Sequence, residues 1–336
     1  MTAKTHLSLL SGLVALAALG LPPRSAGAAG AADFPPGPFN DGGRYSLKDF
    51  EGKVLVLFFY EQDCPSCREK IPQRNQVVEQ FKGKPVKFIA IGPGDTLTDV
   101  KSYVRSTQLK MPVFADTLGV MQHRYGQQIS LRNIYQFRVI GPDGNIVAHS
   151  MDPAAIEKAL AKVKWKYKDG GYDPKLNNII ELLEWNQYAP ALAQLKPLTK
   201  SGNKTVAESA TKLWEAVKAE GQQWIQEAEK AKTAEENPVK AFDLYSKVAN
   251  AFAGDDLAKT ADAALKPLRA DKTVIAELAA RKMYDQLNGV MANANPKKKQ
   301  EIAGFCHKIA TQYPQTPTGK KAAALAEQLQ SAPAAS

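Results

Sequence analysis

The chain has 336 residues and a formal net charge of +10, from 44 Lys and Arg against 34 Asp and Glu, with only three cysteines. So few cysteines exclude a small disulfide-stapled scaffold, and the length suffices for about two domains. The basic residues are mixed with acids and lack interleaved aromatic residues, which argues against nucleic-acid binding. The surface is expected to be basic and to favour acidic partners or anionic lipid.

The first residues have the pattern of an export signal. Lys4 precedes an apolar run from Leu7 to Leu21, and the small-residue motif Ala26-Gly27-Ala28 follows it. The run is too short to span a bilayer comfortably, so cleavage is favoured over a retained anchor. The sequence therefore predicts a signal peptide over residues 1–28 and a linker over 29–39. The mature protein is predicted to be periplasmic or secreted, without stable membrane insertion.

Residues 40–165 alternate strand and helix patterns, which is typical of an α/β fold. Dense β-branched and aromatic runs predict strands, at Val54–Tyr60, Val86–Ile91, Val113–Ala115, Phe137–Ile140 and Ile146–His149. The segments between them predict helices, at Cys64–Lys82, Leu97–Gln108, Val120–Tyr125 and Pro153–Lys162. Either Asp95 or Thr96 is expected to cap the second of these helices.

Cys64-Pro65-Ser66-Cys67 stands at the junction of the first strand and the first helix. Free N–H groups and the macrodipole of a helix N-terminus stabilise a thiolate, so Cys64 is the predicted nucleophile. Cys67 lies one turn further, where it can resolve a mixed disulfide. Pro72 is expected to bend the helix and leave its first turn free. A redox-active Cys64–Cys67 disulfide is preferred over a structural one, because so short a loop stabilises little.

Further motifs follow in a specific order and spacing: Leu47–Lys53, Cys64–Arg68, Pro72, Phe88–Ile91, Pro112–Asp116, Tyr125-Gly126 and Val139–Ile146. Together they resemble the thioredoxin-like superfamily, in particular its extracytoplasmic thiol–disulfide oxidoreductases and redoxins. The resemblance implies an enzyme without a cofactor or metal that exchanges disulfides with a protein dithiol or disulfide substrate and with a redox partner. It also implies that Pro65, Ser66, Ile134 and Tyr135 contact the substrate.

Some positions depart from that family. Asp63 replaces the usual aromatic residue before the first cysteine, and Lys70 stands where related oxidoreductases often carry an acid thought to help proton transfer. No proline lies between Pro112 and Pro142, so the cis-proline that usually faces the two cysteines is missing near Tyr135. A cis bond at another residue costs about 3 kcal/mol, which predicts a trans bond and an altered substrate-binding loop.

Alternative functions stay open on the same residues. In a thiol peroxidase of the peroxiredoxin type, Cys67 would be the peroxidatic thiol and Cys64 would occupy the usual hydroxyl position. Arg132 or Arg138 would then be the accompanying arginine. A non-catalytic scaffold with a degenerate redox domain is another alternative, which Asp63 and the missing cis-proline favour.

Residues 166–174 are predicted to be a linker, and strand patterns vanish over residues 175–330. Helical spacing of Ala, Leu, Lys, Glu and Gln predicts helices, at Pro174–Trp185, Tyr188–Lys200, Lys204–Thr233, Pro238–Ala251, Asp256–Arg269, Val274–Met291, Pro296–Gln312 and Thr318–Gln330. The segment Lys247–Leu268 matches Lys308–Leu329, and a third, weaker copy is predicted over Tyr188–Val217. This repeat resembles tetratricopeptide-like hairpins, so we predict an all-α helical-repeat domain that binds a protein partner.

Few residues of the helical domain indicate chemistry. Trp214 and Trp224 are expected to pack in its core rather than to anchor a partner, and Cys306 to be buried and inert. Metal binding is disfavoured, because one C-x-x-C supplies half a zinc site and only Cys306 and His307, in the other domain, could complete it. Residues 331–336 are predicted to be a disordered tail.

Overall fold

A computed structural model describes residues 31–126 and 136–331 of the chain. The predicted signal peptide lies outside the described residues, and so do Arg132, Ile134 and Tyr135. Among the residues that are described, no helix is both long and apolar enough to cross a membrane. An α/β domain built on one sheet is followed by a domain of packed helices, in agreement with the predicted fold class.

Within the described residues the sheet has five strands, in the spatial order β3-β2-β1-β4-β5. They are β1 (Val54–Phe59), β2 (Val86–Pro93), β3 (Val113–Asp116), β4 (Gln136–Ile140) and β5 (Ile146–Ala148). The first three are parallel, and β4 is antiparallel to both β1 and β5. All of β1 is buried, which explains why its sequence is an unbroken apolar run rather than an alternating one.

Helices cover both faces of the sheet: α1 (Pro65–Glu69), α2 (Ile71–Gln80), α3 (Leu97–Thr107), α4 (Val120–Arg124) and α5 (Pro153–Leu160). Successive residues of a strand point to opposite faces, so β1 contributes to two cores. Val54, Val56 and Phe58 pack with residues of α2, α3 and α5. Leu55, Leu57 and Phe59 pack with residues of α4 and of the segment before the sheet.

The predicted helix Cys64–Lys82 is divided at Lys70 into α1 and α2. Pro72 lies in the first turn of α2, where it has no N–H to donate to the carbonyl of Arg68. The sequence predicted one helix bent at this proline, whereas the structure has two helices. The short α1 contains Cys67 and has Cys64 as its N-cap.

The segment 31–39 belongs to the α/β domain, although the sequence predicted a linker there. Ala31 N donates to Gly144 O at 2.8 Å. Phe39 is buried and forms an isolated antiparallel bridge with Phe114. The centroids of the two rings lie 5.0 Å apart. Burial of apolar side chains therefore holds residues 31–39 against the sheet.

The second domain contains α6 (Asn177–Glu184), α7 (Tyr188–Leu198), α8 (Lys204–Thr233), α9 (Pro238–Ala251), α10 (Asp256–Leu268), α11 (Lys272–Ala292), α12 (Lys299–Gln312) and α13 (Pro317–Ser331). The two matched segments form the hairpins α9–α10 and α12–α13, and their equivalent residues Ala261 and Ala322 are both fully buried. Trp224 is buried and Trp214 packs against the same core, as predicted. Ser331 closes α13 and is therefore not part of a tail.

The segment 166–174 was also predicted to be a linker, but it is held in place at the domain junction. Glu184 Oε1 accepts the N–H groups of residues 166–168 at 2.7 to 3.2 Å. Its Oε2 binds Lys53 Nζ at 2.9 Å, and the two side chains are 1% and 5% exposed. This buried pair joins the start of β1 to the end of α6, so the first helices of the second domain are anchored to the sheet.

A second contact joins the two domains near α4. Leu118 and Val120 pack into the core formed by α11, α12 and α13. Arg124 Nε donates to Gln328 Oε1 at 2.9 Å across this junction, and Gly37 N donates to Asn288 Oδ1 at 3.2 Å. The helical domain therefore contacts the α/β domain through both its first and its last helices.

Alanine substitutions at two glycines of the last hairpin are expected to change the free energy of unfolding in opposite directions. A Cβ at Gly319 would overlap the carbonyl oxygen of Tyr313, whereas a Cβ at Gly304 would meet open space. Gly319→Ala should therefore destabilise the protein by roughly 3 kcal/mol. Gly304→Ala should stabilise it by about 0.5–1 kcal/mol, since it removes a mid-helix glycine. Urea unfolding of the two variants measures both changes; a loss in each would contradict this packing.

Candidate active site

Cys64 occupies the N-cap position of α1, five residues after β1 ends at Phe59. Its backbone is extended, with φ −87° and ψ 109°, and its Sγ accepts the N–H of Cys67 at 3.1 Å. Ser66 Oγ lies 3.2 Å from the same sulfur. Pro65 takes the first helical position, where its missing N–H costs nothing. The predicted helix start therefore places the Cys67 N–H and the Ser66 hydroxyl next to the sulfur of Cys64.

These contacts decide the ionisation of Cys64. Burial raises the pKa of the thiol, but the hydrogen bonds from Cys67 and Ser66 lower it by more, so the pKa is below the ordinary value. Sequence alone could not resolve the competing effects of the neighbouring acids and bases. The structure shows that Arg68 is occupied elsewhere: its guanidinium donates to Gln62 O and to Ser106 Oγ.

The two cysteines are free thiols, and they lie deeper than the residues between them. Cys64 is 3% exposed and Cys67 is 1% exposed, whereas Pro65 and Ser66 are exposed. Pro65 and Ser66 therefore lie at the surface beside Cys64, while Cys67 is buried. Ile134 and Tyr135, the other predicted substrate contacts, lie outside the described residues.

Arg138, one of the two arginines considered for a peroxidase site, donates hydrogen bonds to backbone carbonyl groups. Arg138 Nη1 donates to Phe137 O at 2.8 Å and Nη2 to Tyr125 O at 3.4 Å. Among the described residues, no hydrogen bond or ion pair joins Arg138 to either cysteine. The other candidate, Arg132, falls outside the described part of the chain.

Sequence reasoning missed a buried acid just after β2. Gly92-Pro93-Gly94-Asp95 has the composition of a turn, and the sequence predicts Asp95 or Thr96 as the cap of the following helix. Thr96 is the cap of α3: its Oγ accepts the N–H of Asp99, and Asp99 Oδ2 accepts the N–H of Thr96 in return. Asp95 is instead only 5% exposed. A turn motif gives no sequence signal for such burial, because the packing of α3 on the sheet causes it.

Cys306 plays no part in this site. It lies in α12 within the core shared by α11, α12 and α13, and burial raises the pKa of its thiol to about 12. It is therefore protonated and buried, as predicted for an inert cysteine. In residues 31–126 and 136–331, no three His, Cys, Asp or Glu side chains converge as metal ligands.

The hydroxyl beside Cys64 leads to a measurable prediction. Ser66→Ala removes a hydrogen-bond partner that lowers the pKa of Cys64, so this pKa should rise and alkylation at neutral pH should slow about two- to tenfold. The pH dependence of alkylation by iodoacetamide reports the change. Ser106→Ala is the matched control, because that hydroxyl contacts Arg68 and not the sulfur. An unchanged profile in the Ser66 variant would show that the hydroxyl does not stabilise the thiolate.

A mixed sheet with a C-x-x-C pair on the helix turn that follows its central strand defines a thioredoxin-like domain. Comparison with known proteins gives the same class. Residues 31–149 match the model of the AhpC/TSA family. The resemblance predicted from the sequence motifs is thereby confirmed, and the helical domain lies beyond the matched residues.

The curated relatives include several thiol-disulfide oxidoreductases named ResA. Thiol-disulfide oxidoreductase ResA of Bacillus thuringiensis subsp. konkukian (strain 97-27) is 35% identical over 86 residues, which are 26% of this chain and 50% of that protein. The ResA of Geobacillus kaustophilus (strain HTA426) is 25% identical over 123 residues, 37% of this chain and 70% of that protein. The chain spans about half the length of the first curated relatives that it matches.

Among solved structures, a thiol:disulfide interchange protein of the thioredoxin family from Chlorobium tepidum TLS aligns with 40% of this chain and 99% of its own. It is 24% identical, with a TM-score of 0.35.

Proposed function

We propose that this protein is an extracytoplasmic thiol–disulfide oxidoreductase that works through Cys64 and Cys67. The observation that carries the proposal is the position of Cys64 Sγ, which accepts the Cys67 N–H at 3.1 Å and whose pKa is lowered by that bond and by Ser66. A thiolate is the attacking form in disulfide exchange. The activity named for the ResA relatives is of the same kind.

The reaction proceeds through a mixed disulfide. The Cys64 thiolate attacks one sulfur of a substrate disulfide, so a new S–S bond forms and the other substrate sulfur leaves as a thiolate. Cys67 then loses its proton and attacks Cys64, which closes the Cys64–Cys67 disulfide and releases the second substrate thiolate. The substrate has gained two electrons and the protein has lost them. A redox partner restores the dithiol, and the reverse sequence would oxidise a dithiol substrate.

The substrate-contacting surface is proposed to include the exposed Pro65 and Ser66 together with Ile134 and Tyr135. The partners are a protein dithiol or disulfide substrate and a redox partner that donates or accepts electrons. The helical domain is proposed to bind a protein partner or to orient the substrate through its tetratricopeptide-like hairpins. Its support is structural: the domain contacts the α/β domain through two separate junctions, so a partner on it would be held at a fixed place relative to the site.

Export of the chain is proposed from the pattern over residues 1–28. Periplasmic or secreted placement would provide disulfide-containing substrates. N-terminal sequencing of the protein purified from a periplasmic fraction tests this directly: a start just after Ala28 supports cleavage, and a start at Met1 contradicts it.

A redox titration tests the proposed activity. The mature protein is equilibrated in glutathione buffers, and free thiols are counted by alkylation and mass. Cys64 and Cys67 are expected to interconvert at one defined potential, and Cys67→Ala is expected to trap a mixed disulfide on Cys64. If the pair cannot be cycled, or if no trapped species forms, the redox site is inactive and the scaffold alternative stands.

Peroxide reduction is the second candidate function, with Cys67 as the peroxidatic thiol. The same protein, incubated with hydrogen peroxide and a thiol donor, would then lose peroxide at a rate that depends on Cys67 more than on Cys64. The described structure favours disulfide exchange, because Cys64 Sγ accepts the N–H of Cys67 and Cys67 is the more deeply buried thiol.

A further inference from the structure

A groove of about 650 Å³ runs between the two domains, at the end of the sheet where β2 begins. The α/β domain forms one wall with the end of α2, the start of β2 and residues from the segment 44–50. The other wall is the turn between α6 and α7, residues 185–187. We call this space the interdomain groove, and its lining includes Arg44, Phe81, Lys82, Lys87, Phe88 and Trp185.

The wall from the helical domain is held in place. Glu184, the residue before Trp185, forms the buried ion pair with Lys53 at 2.9 Å. Trp185 itself packs against the core of the α/β domain that contains Phe50, and Phe50 also lines the groove. The groove is therefore formed before anything binds, which lowers the entropy cost of binding.

The floor of the interdomain groove is apolar and its rim is basic. Phe50, Phe81, Val86 and Phe88 contribute the floor, and all four are buried. Five basic side chains and three acidic ones also line the groove, so its charge is positive. An apolar centre with a polar rim is the usual anatomy of a protein interface.

Part of the positive charge is neutralised by ion pairs. Lys110 Nζ lies 2.9 Å from Glu79 Oε1, and both residues line the groove. Lys84 binds an acid that is not part of the lining. The other two lining acids, Asp49 and Glu181, form no ion pair in the described residues.

Three basic side chains of the groove keep their charge available. Within residues 31–126 and 136–331, no ion pair includes Arg44, Lys82 or Lys87. Arg44 and Lys82 are exposed. Lys87 Nζ lies 5.4 Å from the centroid of the Tyr45 ring, which holds the ammonium group against the wall. An anionic side chain in the groove would therefore meet three cations without a carboxylate partner.

The occupant that matches this charge comes from another molecule. The segments of this chain outside the described residues, 1–30, 127–135 and 332–336, contain no Asp or Glu. The flat surface of a bilayer cannot enter a groove between two walls, whereas an extended peptide can. A peptide with an apolar side chain between acidic residues matches the floor and the rim together.

We propose that the interdomain groove docks an acidic segment of a partner protein, with an apolar side chain on the floor and carboxylates beside Arg44, Lys82 and Lys87. The proposal goes beyond the partner binding proposed for the helical domain, because it places the partner between the domains and states its chemistry. It does not require disulfide exchange. The strands β1 and β2 are parallel, so the groove at the start of β2 and the cysteines after β1 lie at opposite ends of the sheet. A docked partner leaves α1 accessible.

Fluorescence anisotropy of a labelled peptide, Gly-Glu-Asp-Phe-Glu-Asp-Gly, tests this docking on the reduced mature protein. The peptide should bind at least about tenfold more tightly than the same peptide with lysines at its acidic positions. Arg44→Glu combined with Lys87→Glu should weaken its binding at least about tenfold, because two attractive charges become repulsive. Raising NaCl from about 0.05 M to about 0.5 M should weaken it at least about fivefold.

The matched control is Lys320→Glu combined with Lys321→Glu. These two exposed lysines of α13 do not line the groove, and their reversal changes the net charge of the protein by the same amount. Binding should stay within about twofold of the unchanged protein. Equal losses in the two double variants would show that only the net charge attracts the peptide, which overturns the proposal.

Further measurements separate folding and other occupants from docking. Circular dichroism checks the fold of the groove variant, and Lys82→Glu carries the test if that variant unfolds. Alkylation of Cys64 by iodoacetamide should stay within about twofold in every groove variant, because the site is at the other end of the sheet. Absence of binding by the acidic peptide overturns the proposal. So does binding to phosphatidylglycerol vesicles that is tighter than peptide binding and is lost in the groove variant, because a lipid surface would then be the occupant.

Discussion

Cys64→Ser is expected to lower the rate of disulfide reduction at least about 1,000-fold, because a serine hydroxyl is not ionised at neutral pH and cannot replace an activated thiolate. The hydrogen bonds from Cys67 N–H and Ser66 to the sulfur stabilise the charged nucleophile, and serine at the N-cap keeps the helix start intact. The fold should therefore survive while the activity is lost. Reduction of insulin disulfides with dithiothreitol as electron donor measures the rate.

Cys306→Ala is the matched control for this loss. Cys306 is buried in the helical core with a pKa raised to about 12, so its removal should leave the activity within about twofold. Retained activity in Cys64→Ser together with lost activity in Cys306→Ala would move the reactive thiol to the helical domain and contradict the site described above.

Glu184→Ala is expected to destabilise the protein by about 3–5 kcal/mol, since it leaves a buried ammonium group without its partner. Lys53 Nζ, 2.9 Å from Glu184 Oε2, has a side chain that is only 5% exposed. The N–H groups of residues 166–168 lose their acceptor in the same variant. Urea unfolding followed by circular dichroism measures the change in the free energy of unfolding.

Lys84→Ala provides the comparison for an exposed ion pair. Lys84 binds Glu157 at the surface, where the side chains are 40% and 49% exposed, so this variant should lose less than about 1 kcal/mol. A double variant, Lys53→Met with Glu184→Gln, should recover part of the loss because it removes both buried charges. Equal losses in Glu184→Ala and Lys84→Ala would show that burial of the junction pair contributes nothing.

The junction pair also predicts a dependence on acid. Burial raises the pKa of Glu184, but the N–H of Tyr167 and the charge of Lys53 lower it by more, so the folded-state pKa lies below the unfolded value. A depressed carboxyl pKa gives stability that is present above the unfolded pKa and is lost as the pH falls through the folded one. The stability difference between the unchanged protein and Glu184→Gln should therefore shrink as the pH falls below about 4.

The two contacts between the domains set the position of the helical domain relative to the two cysteines. The Lys53–Glu184 pair lies at the start of β1, and the contact of Leu118 and Val120 with the last helices lies near α4. The cysteines follow the opposite end of β1 from Lys53. The helical domain is therefore anchored to the frame of the sheet while α1 stays exposed at Pro65 and Ser66.

Local patterns determined much of this protein. Four sequence patterns each act over a few residues: the unbroken apolar run of β1, the cysteine pair after it, Pro72 in the following helix and the spacing of apolar residues in the later helices. Backbone geometry, donor loss at proline and amphipathic periodicity are local effects. For that reason the strands and helices along the chain, and the packing of neighbouring helices into hairpins, could be predicted.

Only the tertiary structure decided which polar residues are buried. Asp95 stands in a turn motif and Glu184 in an ordinary amphipathic helix, yet both are almost fully buried. Residues 31–39 and 166–174 resemble linkers in composition but pack against partners distant in sequence. Burial depends on which helices and strands pack together. The pKa of a buried side chain, its hydrogen-bond partners and the free energy lost when it is replaced therefore follow from tertiary packing rather than from its neighbours in the chain.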